Sequence, residues 1–370
     1  MKRSLLDCPP TSEPLLPAGP SANRIRPKRN AIHAHVVTAA LALAALTAGP
    51  SARAQNQGGQ GVRQELQALK AQVAALQATV NSLQSQLATV RSNNALKLGP
   101  FVTVDPDPEN GVIGPNITFK GANLHLVSGT NATDDNLDNG GQLTGLGNLI
   151  IGYDEPKSNG AGGRGGSHNL VIGRYHAFTT FGGIVAGEAN LIAGKAASAL
   201  GGNNNIASGA YSSVLGGAFN IARDTDTCVS GGTANHAFAE GASVSGGSGN
   251  TADGAHASVS GGESNFARAV DASVLGGTDN YAVAVGSSIL GGDSNATLGQ
   301  FSSILGGAMN VTGGVDATIS GGFHNSANGG VSSVLGGFLN IAGGGQTVVL
   351  GGHQVTDNTD NSIAPQPPFP

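Results

Sequence analysis

Two periodicities dominate the chain. From residue 62 to 91 the apolar positions are Val62, Leu66, Leu69, Val73, Leu76, Val80, Leu83, Leu87 and Val90, separated by alternating steps of four and three. A mean step of 3.5 predicts a helix whose apolar stripe drifts round the axis. Burying that stripe takes a partner helix and a left-handed supercoil. A coiled coil is therefore expected over 62–92, with Leu66, Val73, Val80 and Leu87 at one core position and the other five at the second. Valine facing leucine leans towards two strands, a preference weakened by the leucines at 66 and 87.

The second period is 15. Paired glycines begin at Gly201-Gly202 and return every 15 residues as far as Gly351-Gly352. An asparagine follows three residues after each pair but the last, giving Asn205, Asn220, Asn235, Asn250, Asn265, Asn280, Asn295, Asn310, Asn325 and Asn340; Asn190 extends the series backwards, and Asn169 and Asn148 do so at steps of 21. Two residues before each pair from Gly216-Gly217 onward stands Val214, Val229, Val244, Val259, Val274, Ile289, Ile304, Ile319, Val334 or Val349. Two residues after each asparagine from Asn205 to Asn340 stands alanine or, at 297 and 312, threonine. So short a fixed period means stacked coils that cannot fold singly. A β-branched residue facing a small one makes a narrow, filled interior. The asparagines are expected to stack as a ladder, each amide bonding backbone or its neighbour. The fold class is mainly β, a parallel solenoid over 146–355 preceded by the helix.

The residue directly before each glycine pair points away from the interior. It is Leu200, Leu215, Leu275, Leu290, Leu305, Leu335 and Leu350 in seven coils and serine at 230, 245, 260 and 320. In a lone roll these leucines form an exposed apolar column, which predicts self-association.

The flanks read differently. Arg24, Arg26, Lys28 and Arg29 precede an apolar run from Val36 to Leu46, and Ala52-Arg53-Ala54 follows with small residues at the first and third positions. That succession predicts an export signal over 1–54, cut after Ala54, with a spacer at 55–61. Between 93 and 145, Phe101–Val104, Ile117–Phe119 and Leu124–Val127 read as short strands in a connector or cap. Its acidic residues (Asp105, Asp107, Glu109, Asp134, Asp135 and Asp138) fit no calcium loop and are read as solvated turn residues. Residues 356–370 are polar, then proline-rich, and are expected to be a disordered tail.

Composition narrows the function. The 370 residues include 60 glycines and no tryptophan, with 11% charged and 4% aromatic. Loss of 1–54 leaves 11 basic and 21 acidic residues, a net charge of −10, which argues against nucleic acid as a partner. Cys8 would go with the signal, leaving Cys228 without an intrachain mate. The histidines His168, His176, His236, His256, His324 and His353 mostly hold different places in the repeat and form no metal row. No cofactor is called for, and uniform coils leave no insertion to wall a cleft. A non-enzymatic role is expected; a polysaccharide-active solenoid is the remote alternative.

Within the repeat, Gly209-Ala210-Tyr211-Ser212-Ser213-Val214-Leu215-Gly216 is similar to the head repeats of YadA-like trimeric autotransporter adhesins. The resemblance spans about residues 146–353. It implies a left-handed parallel β-roll, three of which join into an adhesive head on a bacterial surface. Expected partners are thus further copies of the chain and a host, matrix or neighbouring-cell surface. A purely structural surface spacer is the second reading. Here the helix precedes the repeats, whereas the family's stalk follows its head, and the residues after Val355 do not resemble the family's anchor barrel.

Overall fold

A computed structural model of the chain describes residues 59–108, 111–156 and 163–365. The predicted signal, with Ala52 and Ala54, lies outside the described residues. The chain forms two units, Met1–Ala122 and Asn123–Pro370.

In the first unit, helix α1 runs from Gln60 to Ser92 and buries none of its residues. Its period-3.5 stripe, from Val62 to Val90, stays 45–63% exposed. Arg91 in the last turn complements the partial negative charge of the carbonyl end. Beyond it, β1 (Val102–Asp105) and β2 (Asn116–Phe119) pair antiparallel, Val102 opposite Phe119. Leu124–Val127, expected as a strand, is not one. Its alternation is real, but no neighbouring backbone ladder pairs with it, and alternation without a partner does not make a sheet.

The second unit is a parallel β-solenoid. Among the described residues its strands form a 15-stranded and a 13-stranded sheet, each joining successive coils in order. The longer runs from Leu149–Ile151 to Ile363–Ala364, the shorter from Ala177–Phe178 to Thr356–Asp357. From Ser198 onward most strands are two residues long and pair at a step of 15, as in Ser213 with Cys228 and Ile221 with His236. The first coils are irregular: Leu149 pairs with Leu170 and Leu170 with Ile184, steps of 21 and 14. A third column of single parallel bridges, Ala218 to Thr233 among them, closes each coil.

The interior is built as the repeat demands. Val214, Val229, Ile289 and their equivalents are buried against Ala207, Ala222 and Ala282. Burial of a column of methyl-bearing side chains, repeated coil after coil, supplies the apolar drive.

The solenoid does not stop at Val355, as the sequence suggested. Thr356 pairs with Ile341 and Ile363 with Val348, so one further coil stands where a tail was expected. That coil keeps the register without the glycine pair that marked the others, which hid it. Leu350 donates its N–H to Ala364 O at 2.8 Å, whereas the equivalent residue one coil on, Pro365, has no N–H to give.

Candidate functional site

The asparagine ladder is the roll's polar spine. Each ladder asparagine from Asn190 to Asn340 is at most 1% exposed. The backbone N–H of each donates to the Oδ1 of the one before, at 2.7–3.1 Å from Asn205 to Asn340. The Nδ2 of Asn265 donates to Gly261 O at 3.0 Å and to Gly277 O at 2.9 Å, tying two turns of adjacent coils together. An amide suits this place because it offers donor and acceptor at once without charge.

The ladder's lower end corrects the sequence reading. Its next member is His176, not Asn169: Asn190 N donates to His176 Nδ1 at 3.3 Å, and His176 Nε2 lies 3.0 Å from Ile172 O. Imidazole thereby copies both roles of the asparagine, as acceptor for the next backbone N–H and as donor to a carbonyl four residues back. Asn148 and Asn169 belong to a different column, before the strands of the longer sheet. There Asn169 N donates to Asn148 Oδ1 at 2.8 Å and Gly183 N to Asn169 Oδ1 at 2.9 Å. The sequence signal missed was the apolar pair Ala177-Phe178 directly after a buried-type polar residue, 14 residues before Asn190. At the upper end, Val355 N caps Asn340 Oδ1 at 3.0 Å.

Two threonines replace alanine in the interior, and both hydroxyls are satisfied: Thr297 bonds Ser287 at 2.9 Å and Thr312 bonds Ser302 at 2.7 Å. Ser332 holds the same place opposite Ala342 and its buried Oγ has no partner.

The ends of the solenoid are ionic. Asp135, expected in solvent, is buried. Burial pushes its carboxyl up, but hydrogen bonding from Ser128, Ser167, the Thr144 backbone and Thr130 outweighs this and holds it well below the usual carboxylate range. Asp154 is buried beside Arg164, 3.3 Å away. Desolvation raises its pKa, and the guanidinium offsets this only partly. At the far end Asp357 takes the interior place of Ala342 in the last coil. Ser362 Oγ and Thr359 N donate to it at 2.7 and 2.9 Å, and these bonds lower its pKa.

The outer face of the longer sheet carries two columns. One is hydroxyl-rich, with Ser213, Ser243, Ser258, Ser273, Ser288 and Ser303 in register and Cys228 among them. The other contains Leu200, Leu215, Leu275, Leu290, Leu305, Leu335 and Leu350, all 41–52% exposed. Elsewhere, Phe323, Phe338 and His353 stack along the bridge column, with centroids 5.4 and 5.0 Å apart. The histidines do not converge, and no group of three metal-ligating side chains occurs among the described residues. A groove of about 510 Å³, lined by Leu124–Thr133 residues and His168, lies at the N-terminal cap. No described helix is long and apolar enough to cross a membrane. Compared with known proteins, the chain matches no family model and no curated sequence.

Proposed function

We propose that this chain is an exported, non-enzymatic, adhesin-like structural protein that works as a homo-oligomer. The observation that carries this reading is the pairing of a regular repeating scaffold with an exposed apolar column along one side. A repeating scaffold of this kind gives multivalent contact instead of a single pocket. The apolar stripe of α1, exposed throughout, supports assembly independently through a parallel coiled coil. Three copies, wound left-handed, follow from the resemblance to YadA-like heads. The surface engaged is then a host, a matrix or a neighbouring cell. Export rests on the basic, apolar and small-residue succession ending at Ala54.

Binding of the full-length protein to immobilised cells and matrix components tests the adhesive role. Saturable binding supports it; none, with the protein found in the surface fraction, favours a spacer, a reading that the uniform coils also fit. Amino-terminal sequencing tests export: the expected mature terminus is Gln55, and protein retaining residues before Val36 contradicts it.

A further inference from the structure

The lowest place in the amide ladder is filled by a side chain that can take up a proton near neutrality. Asparagine fills that place in every coil from Asn190 to Asn340, and it makes the same two bonds. Asn265 accepts from Asn280 N and donates to Gly261 O, four residues back. His176 accepts from Asn190 N at 3.3 Å through Nδ1, and its Nε2 lies 3.0 Å from Ile172 O, also four residues back. The seat is the same: a Cβ on Gly173 would lie 3.0 Å from His176 Nε2, as one on Gly202 would lie 2.8 Å from Asn205 Nδ2. Asn190 N can only donate and Ile172 O can only accept. The two partners therefore call for a neutral ring with its proton on Nε2, and that ring is 2% exposed. Asparagine would serve both bonds here as it does above; what histidine adds is a proton-binding nitrogen.

A second histidine repeats the arrangement outside the ladder. Ser128 N donates to His168 Nε2 at 3.1 Å, so the neutral ring carries its proton on Nδ1, which is buried without a partner. The ring packs against Gly147, where a Cβ would lie 2.6 Å from its Cδ2. His168 lines the groove at the cap with residues of the 124–133 segment, and through Ser128 it holds that segment. The histidines of the regular coils, His236, His256, His324 and His353, are instead half-buried or exposed.

We infer that His168 and His176 form an acid-operated catch on the N-terminal end of the solenoid, closed at neutral pH and released when the rings take up protons. Protonation puts an N–H on His176 Nδ1 against Asn190 N–H, and one on His168 Nε2 against Ser128 N–H. Each acceptor becomes a donor and its bond is lost. The hold belongs to the neutral rings alone, so it is complete above the range in which imidazole titrates, about pH 8 to 5, and is lost as pH falls through that range. Release frees the 124–133 wall of the groove and parts the first coils from the ladder, whose amides do not titrate. The surrounding charges leave these bonds to decide. Asp154 accepts the His176 backbone N–H, and Arg164 Nε donates to His176 O at 3.2 Å. The two pair with each other at 3.3 Å, so their opposite fields on the ring largely offset. Glu155 meets Arg164 through its backbone O, and Arg174 pairs with Glu188 at 3.1 Å. Near His168 the groups are His125 in the groove and, beyond Ser128, Asp135, which stays ionised through mild acid.

Amide hydrogen exchange of the full-length protein, read by mass spectrometry and corrected for the intrinsic rate at each pH, tests the catch. From about pH 7.5 to about pH 5.5, protection at Ser128 and at Asn190 is expected to fall about tenfold or more, while that at Asn265 stays constant. His176→Asn keeps both bonds on a group that does not titrate and should abolish the fall at Asn190 alone. His168→Gln, whose Oε1 stands where Nε2 stood, should abolish it at Ser128 alone. His324→Asn, on the exposed surface of a regular coil, should leave both falls as they are in the parent. The dependence on pH is what is read, so a variant that lowers protection equally at both pH values still gives an answer. Constant protection in the parent overturns the catch without any substitution. A fall at Asn265 as large as the others overturns it too, since the whole solenoid is then opening. A fall that persists in His168→Gln with His176→Asn overturns it and transfers the effect to Asp154.

Discussion

The middle of the solenoid and its two ends solve the same problem with different chemistry. Between Asn205 and Asn340 every coil is closed by a neutral amide and a glycine carbonyl, repeated without variation. At the ends the repeat gives way to individually placed groups: His176 in the ladder, Asp135 and the Asp154–Arg164 pair below, Asp357 and Pro365 above. An interior coil always finds its own copy as the next partner, so one residue type suffices. A terminal coil has no copy beyond it, and its unpaired groups must be satisfied or removed. The ionisable groups that structure buries are therefore concentrated where the repeat stops.

Four changes sharpen this contrast. The largest effect is expected in the middle, from Gly277→Ala. Its Cβ would collide with the Gly292 carbonyl in a left-handed backbone, costing about 3 kcal/mol or more; Gly276→Ala should cost little in the fold of the single chain. Thermal unfolding of the two variants side by side measures the difference.

Asn265→Ala comes next. It removes the acceptor for Asn280 N and the donor to Gly261 and Gly277 carbonyls, which should cost about 1–3 kcal/mol. An unchanged melting temperature would show that the ladder is ornamental. At the lower end, His176→Asn should be tolerated better than His176→Ala, since an amide can fill both bonding roles.

Acid should act on the ends before the middle, because the amide ladder does not titrate. Asp135 and Asp357 have depressed folded pKa values, so their stabilisation is present above the unfolded value of about 3.9 and is lost as pH falls towards the folded one. Asp154 has the opposite sign: its raised pKa gives a contribution present below about 3.9 and lost as pH rises through the folded value. Asp135 and Asp154 oppose each other at the lower end, whereas Asp357 stands alone at the upper end, so limited digestion with pepsin at about pH 2.5 should cut around residues 356–365 before 205–340. First cuts in the middle would contradict the contrast.

The smallest effect is a gain. Ser332→Ala removes the buried hydroxyl that lacks a partner and should stabilise the protein by about 1 kcal/mol; the same change at Ser302, bonded to Thr312, should destabilise it.

What the sequence disclosed follows the same division. The 15-residue coil, the valine and alanine columns and the asparagines from 190 to 340 were all legible, because a repeat shows each constraint eleven times over. The cap was not. Asp135 reads as one acid among several, and only the convergence of Ser128, Thr130 and Thr144 on it, up to nine residues away, makes it a buried hub. His176 was hidden by a coil of 14 in place of 15, and the last coil by its missing glycine pair. The left-handed turns at Phe219, Val331 and Leu339 were also invisible, since none of these residues is itself a glycine or asparagine and the backbone pairing of adjacent coils imposes the conformation.

The central proposal is that the chain assembles with copies of itself. The mass of the full-length protein in solution, by light scattering at micromolar concentration, tests this directly. The expected result is three times the mass of one chain. Twice that mass would retain the apolar face and discard the likeness to trimeric heads, and the mass of a single chain would contradict the account.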